Sequence, residues 1–259
     1  MFSSAVTTDL APEKLVEIVG HRGASFDAPE NTLASIALAW QQNADAVEFD
    51  VHLTRDGKIV VIHDTNTLRT AGVERNVADT TWDTLRTLDV GKWKDARFVG
   101  ERIPTLDEAL AIVPTDKRVW IEVKCGPEIV PELDRVLNAS KLKPEQTCVI
   151  SFGPEVIAVT KQARPDRPCY WVVNLNTNSA TNTADALIAT AKLIHADGLD
   201  LSATPAVLNK AFGDAVKAAG LKLGVWTVDS VELAKQMVTA GVESITTNKP
   251  GWLREQLLG

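Results

Sequence analysis

The chain has 259 residues, 45% of them hydrophobic and 24% charged, and a formal net charge of −7. That length suits one large domain over 1–259, with a core that can be stable without disulfides. Lys and Arg are scattered and no apolar run reaches membrane-spanning length, so neither a nucleic-acid partner nor a membrane span is expected.

An acidic protein that acts on an anionic substrate needs local cations to offset its own field. Cys125, Cys148 and Cys169 show no close pairing, and they read as free thiols buried as small hydrophobes. Residues 1–14 lack the basic start and apolar core of a secretion signal, so a cytoplasmic location is expected.

The first predicted strand, 17–20, leads to a helix over 32–42 that Asn31 or Thr32 can cap. Strands follow at 46–54 and 59–63. Residues 64–102 then break the rhythm, with turn-like and polar residues, Trp82, Trp93 and one short helical pattern near 81–88. This stretch reads as an insertion over the site, or equally as a long connection with its own small core. Beyond it a helix at 106–112 precedes alternating strands (119–123, 147–151, 169–173, 198–199, 221–227, 244–247) and helices (129–139, 154–163, 183–192, 205–219, 230–240, 251–258). Asp229 or Ser230 can cap the helix at 230, and Gly220 and Gly241 stand where left-handed residues end helices.

Such alternation implies a mostly parallel sheet, closed as a barrel or open and doubly wound. No glycine-rich phosphate loop follows the first strand, and polar residues gather where strands end, so a TIM (β/α)8 barrel is the predicted fold.

On the second strand Glu48 and Asp50 share a face, since strand side chains alternate. Two carboxylates side by side in a buried strand repel and lose solvation unless a cation lies between them. Solvent-facing salt-bridged carboxylates are the alternative. Glu122 supplies a third carboxylate at a strand end, and Lys124 on the same face can neutralise a phosphate or pair with Glu122. Three oxygen donors favour Mg²⁺ or Ca²⁺, with Mn²⁺ as a further option, over zinc.

His21 and His63 each follow a strand, so both can face one barrel mouth and move protons near neutral pH. Arg22 offers bidentate phosphate contacts. Trp226, near a late strand end, is either an apolar wall for substrate or a core side chain. His52 reads as a hydrogen-bonded strand residue as readily as a substrate contact, and His195 as part of a turn.

In order along the chain stand His21-Arg22-Gly23, Pro29-Glu30-Asn31-Thr32, Glu48-Phe49-Asp50-Val51, Thr54-Arg55-Asp56-Gly57, His63-Asp64, Ile103-Pro104-Thr105-Leu106, Ile121-Glu122-Val123-Lys124, Ser151-Phe152 and Trp226-Thr227-Val228. This series resembles the glycerophosphodiester phosphodiesterase family. The resemblance implies a TIM barrel with a small insertion after the strand carrying His63. It also implies a divalent ion on Glu48, Asp50 and Glu122, an acid–base pair in His21 and His63, and phosphate contacts from Arg22 and Lys124. Glu30 and Asn31 match motif positions near that family's site, and a turn with a helix cap explains them equally well. Thr247-Asn248-Lys249-Pro250 departs from the family's frequent Thr-Asp-x-Pro and removes a carboxylate beside the mouth.

The implied reaction is hydrolysis of a small glycerophosphodiester to glycerol 3-phosphate and an alcohol. In the expected course the substrate's 2-hydroxyl attacks phosphorus, one histidine takes its proton and the other protonates the departing alcohol. Water then opens the cyclic phosphate. The alternatives are release of head groups from lysophospholipids, which needs an apolar groove, and a non-catalytic phosphodiester-binding module, which does not need both histidines.

Overall fold

The computed structural model describes residues 16–179 and 181–258. The expectation about residues 1–14 lies outside these residues.

In chain order the elements are β1 (Glu17–His21), α1 (Leu33–Gln41), β2 (Ala46–Leu53), β3 (Ile59–Val61), α2 (Leu68–Ala71), α3 (Trp82–Leu85), α4 (Leu106–Ala111) and β4 (Arg118–Val123). They continue as α5 (Val130–Ala139), β5 (Thr147–Ser151), α6 (Pro154–Ala163), β6 (Cys169–Val173), α7 (Ala184–Leu193), β7 (Gly198–Ser202), α8 (Lys210–Ala218), β8 (Lys222–Trp226), α9 (Val231–Thr239), β9 (Ser244–Thr247) and α10 (Pro250–Leu258).

β1 pairs in parallel with β2 on one side and β9 on the other, which closes an eight-stranded parallel barrel through β4 to β8. This is the predicted TIM barrel. Strand alternation sorts its side chains. Val19, Ala46, Trp120, Cys148, Ile150, Tyr170 and Val172 fill the inside, with Trp120 and Tyr170 edge to face at 5.0 Å. Phe49, Ile121, Val149, Leu199 and Val225 point outward into the larger core under the helices. Cys148 and Cys169 are buried free thiols, and burial raises both above their ordinary range.

The strand expected at 59–63 is no stave of the barrel. β2 is eight residues long, its lower half bonded to β1 and its upper half running past the rim. There it turns back as the antiparallel β3, with Val51 opposite Val61. The strand ends at Val61, and the Ile62 amide still donates to the Asp50 carbonyl at 3.0 Å. His63 is therefore returned to the mouth by a hairpin rather than delivered by a strand end. Val60 and Ile62 of the return arm join Val77, Leu85, Val90 and Ile103 from beyond His63 in a separate small core.

Side-chain caps set where helices begin. Thr32 and Ser230, not Asn31 and Asp229, cap α1 and α9, and Thr105 with Glu108 makes a reciprocal capping box on α4. The helix predicted over 205–219 starts only at Lys210. Asn209 is extended and its side chain accepts the Phe212 amide, so the helix nucleates there and the preceding residues form a turn instead. Gly220 and Gly241 take φ of 77° and 89° as expected of left-handed helix ends.

Candidate active site

The site is assembled at the mouth from the ends of β1, β2 and β4, the β1–α1 loop, the residues just past β3 and the β9–α10 loop. Register does most of the placing. His21 lies opposite Glu48, and Asp50 opposite Glu122. Ligand oxygens of Glu48, Asp50 and Glu122 all lie within 4.8 Å of one another.

Burial and mutual repulsion make this cluster costly by itself. Burial first, then Asp50 and Glu122, push the Glu48 carboxyl well above its ordinary range. Burial and then Asp50 push Glu122 up as well. Glu48 Oε1 and Asp50 Oδ1 are buried without a hydrogen-bond partner among the described residues. Two orphaned oxygens in a three-carboxylate cluster fit a hard divalent cation.

The remaining oxygens are held. The Arg22 amide donates to Glu48 Oε2 at 2.9 Å, and the Arg22 guanidinium lies 3.2 Å from Asp50 Oδ2 and 2.8 Å from Glu30. Arg22 has φ of 54°, and in that conformation its amide meets Glu48 while its guanidinium meets Asp50 and Glu30. Lys124 Nζ lies 2.7 Å from Glu122 Oε1, 3.6 Å from Asp50 and 3.2 Å from His63 Nε2. Burial works to lower this ammonium, and Glu122 and Asp50 outweigh it and raise it. The internal Glu122–Lys124 pair is thus present, and the same ammonium also faces Asp50.

The two histidines have different backing. His21 Nδ1 is 2.7 Å from Asn248 Oδ1, and burial followed by the Arg22 charge lowers the ring to about 4, so it is neutral at neutral pH. His63 Nδ1 is 2.7 Å from the Asp64 carboxylate. Arg69 holds that carboxylate in turn at 2.7 Å and also bonds Glu30, drawing the hairpin onto the β1–α1 loop. The Arg69 bond is the first cause that keeps Asp64 at about 2. Glu30 also sits at about 2, where burial opposes ionisation and Arg69 and Arg22 outweigh it.

His21, Arg22, Glu48, Asp50, His63, Glu122 and Lys124 all meet as read from the sequence. Trp226 stands apart and is reached through Phe152. The two rings are edge to face at 5.6 Å, and Lys124 Nζ lies 5.6 Å from the Phe152 centroid. Trp226 is half-buried and its Nε1 donates to the Asp200 carbonyl at 3.3 Å, so it is a mouth residue anchored from below. His52 Nε2 meets the His63 carbonyl at 3.1 Å, which makes it a support of the hairpin. His195 lies in a turn with φ of 58°, away from this mouth.

Sequence reasoning gave no site role to Asp64, Arg69, Phe152 or Asp229, and left Asn31 as either a helix cap or a motif position near the site. The Asn31 side chain does not cap the helix and holds Asp50. Asp64 was signalled by its place beside His63 and Phe152 by the Ser151-Phe152 motif, while Arg69 and Asp229 carried no such signal.

The model of the glycerophosphoryl diester phosphodiesterase family matches residues 21–252. The chain belongs to that family. It is thereby an enzyme of phosphoric diester hydrolysis. A glycerophosphodiester phosphodiesterase of Caldanaerobacter subterraneus subsp. tengcongensis is 32% identical over 237 residues, covering 90% of this chain and 94% of the relative. One of Bacillus subtilis (strain 168) is 30% identical over 259 residues, covering 93% and 86%. Among solved structures, an Oleispira antarctica phosphodiesterase in complex with the product sn-glycerol-3-phosphate superposes with a TM-score of 0.84 at 27% identity, covering 94% of this chain and 97% of that one. The glycerophosphodiester phosphodiesterase from Agrobacterium tumefaciens str. C58 gives 0.76 at 29% identity, covering 93% and 99%. No helix among the described residues is long and apolar enough to cross a membrane.

Proposed function

We propose that this family member hydrolyses small glycerophosphodiesters to sn-glycerol 3-phosphate and an alcohol, with Glu48, Asp50 and Glu122 holding one divalent cation, Mg²⁺ or Ca²⁺, and His21 and His63 moving the protons. The observation that carries the reading is the three-carboxylate cluster with orphaned oxygens flanked by two histidines. When bound, the cation withdraws charge from phosphate oxygens and makes a nearby hydroxyl more acidic.

The chain's own residues do the rest. Arg22 and Lys124, the two cations at the cluster, bind and orient the phosphodiester. The substrate's 2-hydroxyl is tethered close to phosphorus and attacks it, which gives a high effective concentration. His21 Nε2 accepts the hydroxyl proton as the new P–O bond forms. The bond to the departing alcohol breaks, and His63 supplies that oxygen with a proton. The product of this step is a cyclic phosphate. Water adds to it with the roles reversed: His63 takes the water proton and His21 returns one to the 2-oxygen as the ring opens. Phe152 and Trp226 form the apolar wall against the glycerol carbons.

The decisive assay is release of glycerol 3-phosphate from glycerophosphocholine with Mg²⁺ or Ca²⁺, with EDTA, and with His63→Ala. Cation-dependent release that the variant lacks supports the reading. Folded protein that leaves glycerophosphocholine intact with either cation, and instead releases choline from lysophosphatidylcholine, sinks it.

A further inference from the structure

The β9–α10 loop carries a polar chain behind His21 that the reaction as described does not use. Asp229 stands just before α9 and is the innermost link. Its Oδ1 accepts from the Thr247 hydroxyl and from the Asn248 amide, both at 2.8 Å, and its Oδ2 from Asn248 Nδ2 at 2.5 Å. Carboxylate oxygens only accept, so the –NH2 half of the Asn248 side chain must face Asp229. Its carbonyl oxygen is then left facing His21, and Ser25 Oγ donates to that same oxygen at 2.8 Å. An amide oxygen also only accepts, so the His21 nitrogen 2.7 Å away must carry hydrogen.

We propose that Asn248 and Asp229 are positioning residues which fix His21 as the Nδ1–H tautomer and so present an open Nε2 lone pair to the substrate. The inference rests on the reading of His21 as a proton-transfer residue. Its steps are forced by donor and acceptor identity: carboxylate orients amide, amide selects tautomer, tautomer decides which nitrogen is free. His63 is oriented in a parallel way by a different group. Its Nδ1 faces Asp64, and its Nε2 faces the carboxylate cluster, 3.2 Å from Lys124 Nζ. Both rings thus turn Nε2 inward, one backed by a carboxylate directly and one by a carboxylate acting through an amide. The intervening amide keeps a second negative charge off the His21 ring while still holding its orientation.

The test reads the ring without turnover. Two-bond ¹H–¹⁵N spectra of the metal-free protein at pH 7.5 assign His21 as protonated at Nδ1 or at Nε2, the ring being neutral there because burial lowers it to about 4. A pyrrole-like Nδ1 with a pyridine-like Nε2 is expected, and the reverse pattern overturns the proposal. In Asn248→Ala and Asp229→Ala the population should move toward Nε2–H. With cation restored, kcat on glycerophosphocholine should fall about a hundredfold at little-changed KM, since general-base catalysis of this kind contributes ~10²–10⁴. Retention of the Nδ1–H pattern in Asn248→Ala removes the amide from the account, and retention in Asp229→Ala removes the carboxylate. If a variant does not fold, the wild-type spectrum still decides. Glycerophosphocholine left intact by a protein with the Nδ1–H pattern would sink the functional reading and leave the relay standing.

Discussion

Asn31 and Asp50 clamp each other at two points: Asn31 Nδ2 donates to Asp50 Oδ2 at 2.8 Å, and the Asp50 amide returns a bond to Asn31 Oδ1 at 3.2 Å. Asp50 is a buried member of the carboxylate cluster, so the clamp fixes which of its oxygens remains open toward the other two. Supports of this kind commonly govern metal affinity by 10- to 100-fold, roughly. We predict that Asn31→Gly and Asn31→Ala both weaken Mn²⁺ or Ca²⁺ binding by about that factor in calorimetric titration. They should differ in stability, because Asn31 holds a φ of 58° that glycine accepts and alanine resists. Unchanged affinity in both variants would show the clamp to be irrelevant to the cluster.

The carboxylate cluster is itself a stability element that changes sign with occupancy. Without a cation, Glu48 is pushed up by burial, Asp50 and Glu122, and part of the folding free energy is spent on keeping the three together. A cation that binds only the folded state adds about 2.7 kcal/mol at a concentration 100 times its Kd. Tm should therefore climb with Ca²⁺ or Mg²⁺, while Glu48→Gln should raise the cation-free Tm and flatten that climb. Since Glu48 in the empty cluster holds its proton above its ordinary range, cation binding must expel it. Affinity should then tighten as pH rises through the region above 4.5. A wild-type Tm that ignores both ions would refute the cation site.

How legible this was depended on distance along the chain. The barrel follows from the alternation of strand and helix patterns, and the Glu48/Asp50 pair from the side-chain period of two within a strand, which needs no partner to be read. Glu122 and Lys124 were legible for the same reason, and parallel register alone then sets Asp50 against Glu122. His63 was found for a partly wrong reason. An apolar run of four looks alike as a barrel strand or as the return arm of a hairpin, and only pairing shows that β3 lies antiparallel on β2. Asn248 looked like the loss of a carboxylate, but Asp229 supplies one 19 residues earlier through the Asn248 amide. Such a substitution through space leaves no spacing signal. Thr32 and Asn31 were interchangeable as caps until the positive φ of Asn31 and its bonds to Asp50 separated their roles.

Arg69 ties the hairpin to the β1–α1 loop by bonding both Glu30 and Asp64. Arg69→Met should cost about 1 kcal/mol at pH 7, a figure reduced for screening because the side chain is 43% exposed. The sign with pH follows from the folded values of about 2 for both carboxyls, below their unfolded values. Stability from depressed carboxyls is complete above the unfolded values and lost as pH falls through the folded ones. The Tm gap between wild type and variant should thus hold from pH 7 to about 4.5 and close toward pH 2. A gap that widened in acid would contradict the assignment.

Gly23 follows the Arg22 turn and has φ of 84°. A Cβ built there would lie 2.5 Å from the Ser35 carbonyl carbon and 2.6 Å from its oxygen, in the first turn of α1. Ser35 cannot withdraw, because its hydroxyl bonds the Arg22 carbonyl at 2.8 Å and its carbonyl takes the Ala24 amide at 3.0 Å. Gly57 in the β2–β3 turn has a similar φ of 75° with nothing within 4 Å, and so serves as the control. Gly57→Ala should show only the left-handed penalty of about 1–2 kcal/mol. Gly23→Ala adds overpacking of about 1–3 kcal/mol, for a Tm several degrees below the control by thermal denaturation. Because the displaced loop carries the Arg22 amide that bonds Glu48, the same variant should also weaken cation binding, while Gly57→Ala should not. Equal Tm losses in the two variants would mean that the close approach to Ser35 is not what demands glycine at position 23.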